Sequence, residues 1–139
     1  MLAYLAVAIG GLVGTGLRLA CDLAFPHADG ELPVETLIVN LVGAFALGWL
    51  VGGLWTRPTT PMWLKAGLGS GLIGSFTTLS AVMASLIALT GVGESWLAAL
   101  YLLVSVVGGL GLAAAGLRIG SLLAHRPMPT EITDAGETL

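Results

Sequence analysis

The polar residues of this sequence that could do chemistry are few, and they are neutral. Asn40 stands alone in the apolar run TLIVNLVGAFALG (residues 36–48). A side-chain amide there needs a partner, because an unpaired polar group in hydrocarbon is costly. Its N–H groups suit a hydrogen bond to a neighbouring helix or the solvation of an anion. Tyr101 and Ser105 are four residues apart and share one helix face, with Gly109 next along the stripe. Their hydroxyls admit the same two uses, and spacing alone favours bonds between helices. The third feature is Gly74-Ser75-Phe76-Thr77-Thr78, inside GLGSGLIGSFTTLS (67–80). A helix break there frees backbone carbonyls, which suit a hard cation such as Na⁺. A Gly-rich packing kink satisfied by the Ser and Thr hydroxyls is the plainer reading of the same residues.

Other chemistries find no support. The single cysteine, Cys21, excludes an internal disulfide. With His27 and His125 far apart there is no transition-metal constellation. No nucleophile–base pair is visible, so an enzyme is not expected. The net charge of −3 argues against nucleic acid as a partner. No Asp, Glu or Lys sits at the centre of an apolar run, which disfavours a proton-coupled pump. Arg18 falls near the end of the first run, where it can snorkel or cap the helix in a structural role.

The elements that must position these groups are membrane helices. Hydrophobic residues make up 56% of the chain and charged ones 9%, too few to cover a surface facing water. Crossing the hydrocarbon takes roughly 20 apolar residues. The pattern predicts an all-α membrane protein of four transmembrane helices, at about 2–23, 36–55, 63–90 and 95–118. The third is broken mid-membrane near Gly74–Thr78, since irregular backbone at that depth survives only inside protein or against a wet cavity. These helices form one channel-like unit over 1–124, and 125–139 reads as a polar disordered tail. The N-terminus lacks the basic start and small-residue cleavage site of a signal peptide, so the first run is taken as a membrane helix. TRPTTP (56–61) is the clearest loop, flanked by Trp49, Trp55 and Trp63 as an interfacial belt would be. Gly10/Gly14, Gly48/Gly52 and Gly67/Gly71 form small-residue faces for tight helix packing or dimerisation.

Four spans put both termini on one side. Arg57, Lys65, Arg118 and Arg126 fall on that side and Arg18 on the other, which predicts cytoplasmic termini in a multi-pass inner (plasma) membrane protein.

In order and spacing these motifs resemble the Fluc (CrcB) family of fluoride channels. GGLVGTGLR (10–18) is similar to the family's Gly-rich first helix with its terminal Arg. TLIVNLVGAFALG is similar to the second-helix signature, with Asn40 at its asparagine. GLIGSFTTLS (71–80) is similar to the broken third helix, and Tyr101 and Ser105 match the polar track of the fourth. The resemblance covers nearly everything but the tail. It implies an antiparallel dimer with two pores, a central Na⁺ between subunits and passive export of fluoride from the cytoplasm. It implies that Asn40, Tyr101 and Ser105 line the anion path, and that Gly74 and Thr77 offer carbonyls to Na⁺.

The departures matter as much. The two phenylalanines whose electropositive ring edges face the anion in that family fall here at Leu79 and Val82. Ala81 replaces a threonine, Gly109 a third hydroxyl, and Glu35 a glycine before the second helix. Phe76 is close by but one turn from the expected place. With these gaps two dimers stay open, a homodimer or a heterodimer with a second Fluc-type subunit, and the first reading is a fluoride channel subunit that works beside a second, different chain. The one-sided basic residues agree, because an antiparallel homodimer needs a chain that inserts both ways. A homodimer with a Phe-free path is the nearest alternative. A small multidrug-type transporter would need a carboxylate in the first span, which has none. A non-conducting structural membrane subunit is the remaining class.

Overall fold

The structure, a computed structural model, describes residues 1–25 and 31–124. The tail expected at 125–139 lies outside the described residues, as do His27, His125 and Arg126. Among the described residues the chain is all helix and has no strand. Four apolar spans, Leu2–Ala24, Val34–Leu54, Met62–Gly91 and Ser95–Ala124, are each long enough to cross a bilayer. Helix is the natural solution there, since every backbone group must find its partner within the segment.

Helix α1 is Leu2–Ala24. Helix α2 is Val34–Trp49, follows Pro33 and carries Glu35 in its first turn, where a carboxylate suits the helix dipole. It runs on as a wider π turn, Leu50–Leu54. The carbonyls orphaned at that end are met by side chains of the next loop. Thr56 Oγ1 donates to Gly53 O at 2.7 Å, Thr60 Oγ1 to Leu54 O at 2.8 Å and Lys65 Nζ to Trp55 O at 2.9 Å.

Helix α3 (residues 62–76) stacks Met62–Ala66, a π-wound Gly67–Ile73 and a last turn Gly74–Phe76. Thr77 and Thr78 are extended, at φ/ψ of −83/155° and −152/125°. Helix α4 (Leu79–Gly91) resumes after them, so the third span is two helices in series. Gly93, at φ 87°, turns the chain into α5, Ser95–Ala124. The expected end of this last helix near 118 needs correction, for it continues to Ala124. Arg118 is exposed and breaks nothing. Two residues on, Gly120 is buried against Trp49 O and the backbone of Gly52 and Gly53, and this packing holds the extra turn.

The spans pair as α1 with α3 and α2 with α5, through seams of small residues. A methyl built on Gly14 would run into Leu72 O, and one on Gly48 into Ala113 O. The opposite helix answers in kind, with Gly116 against Phe45 O. All three glycine pairs noted in the sequence therefore serve packing within the chain. Most large apolar side chains stay exposed, as a lipid-facing surface requires, Leu12, Leu110 and Leu122 among them. A small buried cluster of Val82, Leu89, Ala98 and Tyr101 ties α4 to α5.

Candidate functional site

The site is built on the break between α3 and α4. Asn40, from α2, grips it: Nδ2 donates to Thr78 O at 3.0 Å, and Oδ1 accepts from Thr78 N–H at 2.8 Å. Thr78 is also the N-cap of α4, its Oγ1 accepting from Ala81 N–H at 3.2 Å and meeting Ser80 Oγ at 2.8 Å. Thr77 turns its hydroxyl back to Ile73 O at 3.0 Å. Gly43 on α2 makes room for it, since a methyl there would collide with Thr77 Cγ2.

These bonds leave two carbonyls short. In a continuous helix Gly74 O would receive the N–H of Thr78, and Thr77 O that of Ala81. Asn40 takes the first donor and the Thr78 hydroxyl takes the second. The backbone oxygens of Gly74 and Thr77, two of those the break leaves without their helical partners, fit a hard cation in type. Two oxygens from one chain leave most of a coordination shell to be supplied from elsewhere.

Beside the break lies a cavity of about 320 Å³. Asn40, Thr77, Leu79, Val82, Ser105 and Gly109 all line it. Tyr101 and Gly74 are not in its lining. Tyr101 is 2% exposed, set behind Val82 in the buried cluster. The hydroxyl oxygens of Tyr101 and Ser105 are buried and have no hydrogen-bond partner. Ser85 and Ser105 bring hydroxyls close to that of Tyr101, but Ser85 spends its proton on Ala81 O at 2.9 Å. Asn40 still has one free N–H after serving Thr78. The cavity thus has neutral donors and no charge. Towards the far end of α5 it opens into a groove of Ala, Leu, Val and Gly that shares Ser105 and Gly109 with it.

Leu79 and Val82 stand differently at the cavity. Leu79 is 73% exposed and Val82 is 5% exposed. Phe76, the aromatic nearest in sequence, packs towards Gly43. Arg18 lies away from all of these. Its Nη2 reaches Thr36 Oγ1 at 3.5 Å and Asp22 Oδ1 at 3.6 Å, and it lines a separate cavity with Glu35 and Ser85.

Sequence reasoning missed Thr36 and Ser85 as members of these polar clusters. Thr36 sits one helical turn before Asn40 on the same face, a spacing that could have revealed it. Ser85 interrupts an apolar run, but its bond back to Ala81 has no signature beyond that. Thr78 lay in the singled-out stretch, yet its role as the clamped residue needed the fold.

Four spans around a polar break, with neutral groups lining a cavity beside it, define a small multi-pass membrane protein. Residues 5–117 match the family described as CrcB-like protein, Camphor Resistance (CrcB), and the chain belongs to that family. It is 37% identical over 110 residues to "Fluoride-specific ion channel FluC 2" of Geobacillus kaustophilus, covering 78% of this chain and 85% of that one. It is 35% identical over 108 residues to "Fluoride-specific ion channel FluC 1" of Desulfitobacterium hafniense, covering 78% and 94%. With "Fluoride-specific ion channel FluC" of Azotobacter vinelandii it shares 39% over 119 residues, covering 85% and 96%. These relatives are named as ion channels, not as enzymes.

Proposed function

We propose that this chain is a subunit of a fluoride-specific channel that lets fluoride leave the cytoplasm passively. The observation that carries this reading is the uncharged donor set at the cavity, in a chain whose relatives are named for fluoride. Fluoride is small and strongly hydrated, so dense neutral donors must replace its water. A fixed cation would hold it and slow its release. The free N–H of Asn40 and the unspent hydroxyl of Ser105 supply such donors at the cavity, and the Tyr101 hydroxyl stands behind Val82, outside its lining. The membrane potential drives the anion outward, and no pump is needed.

The working unit is a dimer. Extended backbone at Thr77 and Thr78 cannot face lipid at mid-span. Gly74, Leu79 and Ser80 beside it are exposed in the single chain. A second, antiparallel subunit covers them and completes a Na⁺ site with the carbonyls of Gly74 and Thr77. That ion supplies a fixed positive charge binding the two breaks together. The partner is a different Fluc-type chain. Three observations support this: Leu79 and Val82 bring no aromatic edge to the path, the basic residues favour one orientation, and relatives carry the paired names FluC 1 and FluC 2. That orientation puts the termini, with Arg57, Lys65 and Arg118, at the cytoplasmic face of the inner (plasma) membrane.

The test is fluoride efflux from loaded liposomes holding this chain alone or with a second Fluc-type chain of opposite basic bias. Efflux only with the partner is the expected result. Robust efflux from this chain alone refutes obligatory pairing, and none in either case refutes fluoride conduction.

A further inference from the structure

The donors at the cavity stop short on one side. Ser105 and Gly109 stand where the cavity passes into the groove along α2 and α5. Beyond them the α5 wall continues through Leu110 and Leu117, facing Leu47 and Val51 of α2. Among the described residues that line this groove, Ser105 alone has a polar side chain. The next polar side chain along α5 is Arg118, about 20 Å further on at 1.5 Å per residue. The backbone between them offers no donor in exchange, because its N–H groups are spent on the carbonyls of the helix itself.

Gly109 is one turn beyond Ser105 on the same face. A methyl built there meets nothing within 4 Å, whereas one on Gly116 of the same helix runs into Phe45 O. Gly109 is therefore not a packing glycine, and a side chain at its position would stand in the open junction of cavity and groove. Apolar walls give water no partners to hold it in place. A stretch of this kind stops ions by dewetting. Fluoride is affected strongly, since it can neither keep its water there nor exchange it for donors on this wall.

We propose that the donor track of this chain ends at Gly109, and that the groove beyond it is a dewetting barrier limiting how fast an anion reaches Ser105 from the Arg118 end. The consequence for flux rests on the fluoride reading above; the dryness of the groove does not. Gly109→Ser puts a hydroxyl in the open junction, and Gly109→Ala occupies it without a donor. In liposomes holding this chain and its Fluc-type partner, fluoride efflux should rise several-fold in Gly109→Ser and show no rise in Gly109→Ala. A rise in both variants overturns the proposal, and so does a rise in neither, the result expected if the partner's wall carries the donors. A second measurement needs no fluoride. Ala113, one turn past Gly109, lines the groove. With Cys21→Ser, Ala113→Cys leaves one thiol on the chain. A membrane-impermeant methanethiosulfonate attacks the thiolate, which forms in water. The modification, read as mass added to this chain, should be slow with Gly109 in place and several-fold faster with Gly109→Ser. Fast modification with Gly109 in place, or equal rates in the two backgrounds, overturns the barrier. Efflux absent from every variant while the thiol responds as expected counts against the fluoride reading and leaves the barrier standing.

Discussion

The side-chain amide of Asn40 pairs with both backbone groups of Thr78, donating at 3.0 Å and accepting at 2.8 Å. It does for the broken helix what a neighbouring strand does in a sheet. Neither an aliphatic nor a carboxylate side chain can make both bonds.

Asn40→Ala should therefore destabilise the fold by about 1–3 kcal/mol, the cost of leaving buried backbone groups unpaired. Asn40→Asp keeps an acceptor for the Thr78 N–H and loses the donor to its carbonyl. It should unfold later than Asn40→Ala on heating in detergent, yet pass no fluoride with the partner present, because its charge faces the anion cavity. Efflux at the wild-type rate from Asn40→Asp would show that the cavity is not the path.

Tyr101 separates stability from transport. Its hydroxyl is buried without a partner, so removing it takes away no bond and relieves an unmet polar group. Tyr101→Phe should melt at or slightly above the wild-type temperature while fluoride efflux falls. A clear loss of stability would mean that the hydroxyl is bonded inside the fold.

The two replaced phenylalanine positions should respond unequally. Leu79 is largely exposed, and Leu79→Phe should fold as the wild type does. Val82 is packed in the buried cluster with Tyr101, so Val82→Phe overfills it and should cost about 1–3 kcal/mol. Thermal unfolding of the two variants side by side checks the contrast.

Glycines along α5 and α2 should sort by what faces them. A methyl at Gly48 meets the Ala113 carbonyl, whereas one at Gly109 meets nothing within 4 Å. Gly48→Ala should lower the melting temperature by several degrees, and Gly109→Ala should leave it unchanged. Equal effects would mean that the α2–α5 seam is looser than its backbone contacts imply.

Much of this architecture was legible in the sequence because lipid leaves few choices. Uncharged runs such as 36–55 and 66–93 have to be spans, and Asn40, Ser105 and Thr77 were visible as polar groups with nowhere to hide. Their convergence on one cavity was not visible, since it depends on α2 meeting both α4 and α5. Periodicity could place Tyr101 and Ser105 on one stripe. It could not show that Tyr101 turns behind Val82 while Ser105 lines the cavity. The α5 terminus was misread because a single arginine looked like a boundary, and only the contact of Gly120 with the end of α2 explains the extra turn. Glycine pairs announce a close approach without naming the partner, so their service within the chain had to come from the fold.

The pairing of spans also bears on how the chain is made. First packs chiefly on third, and second chiefly on fourth, so the Gly48–Gly52 seam of the second span waits for the last. A ribosome delivering spans in order releases the second with its small-residue face unmatched. It stays so until the last helix clears the insertion machinery. Closure of the bundle therefore depends on the last span, and a chain cut short before residue 95 would leave the Gly48–Gly52 seam bare in the bilayer.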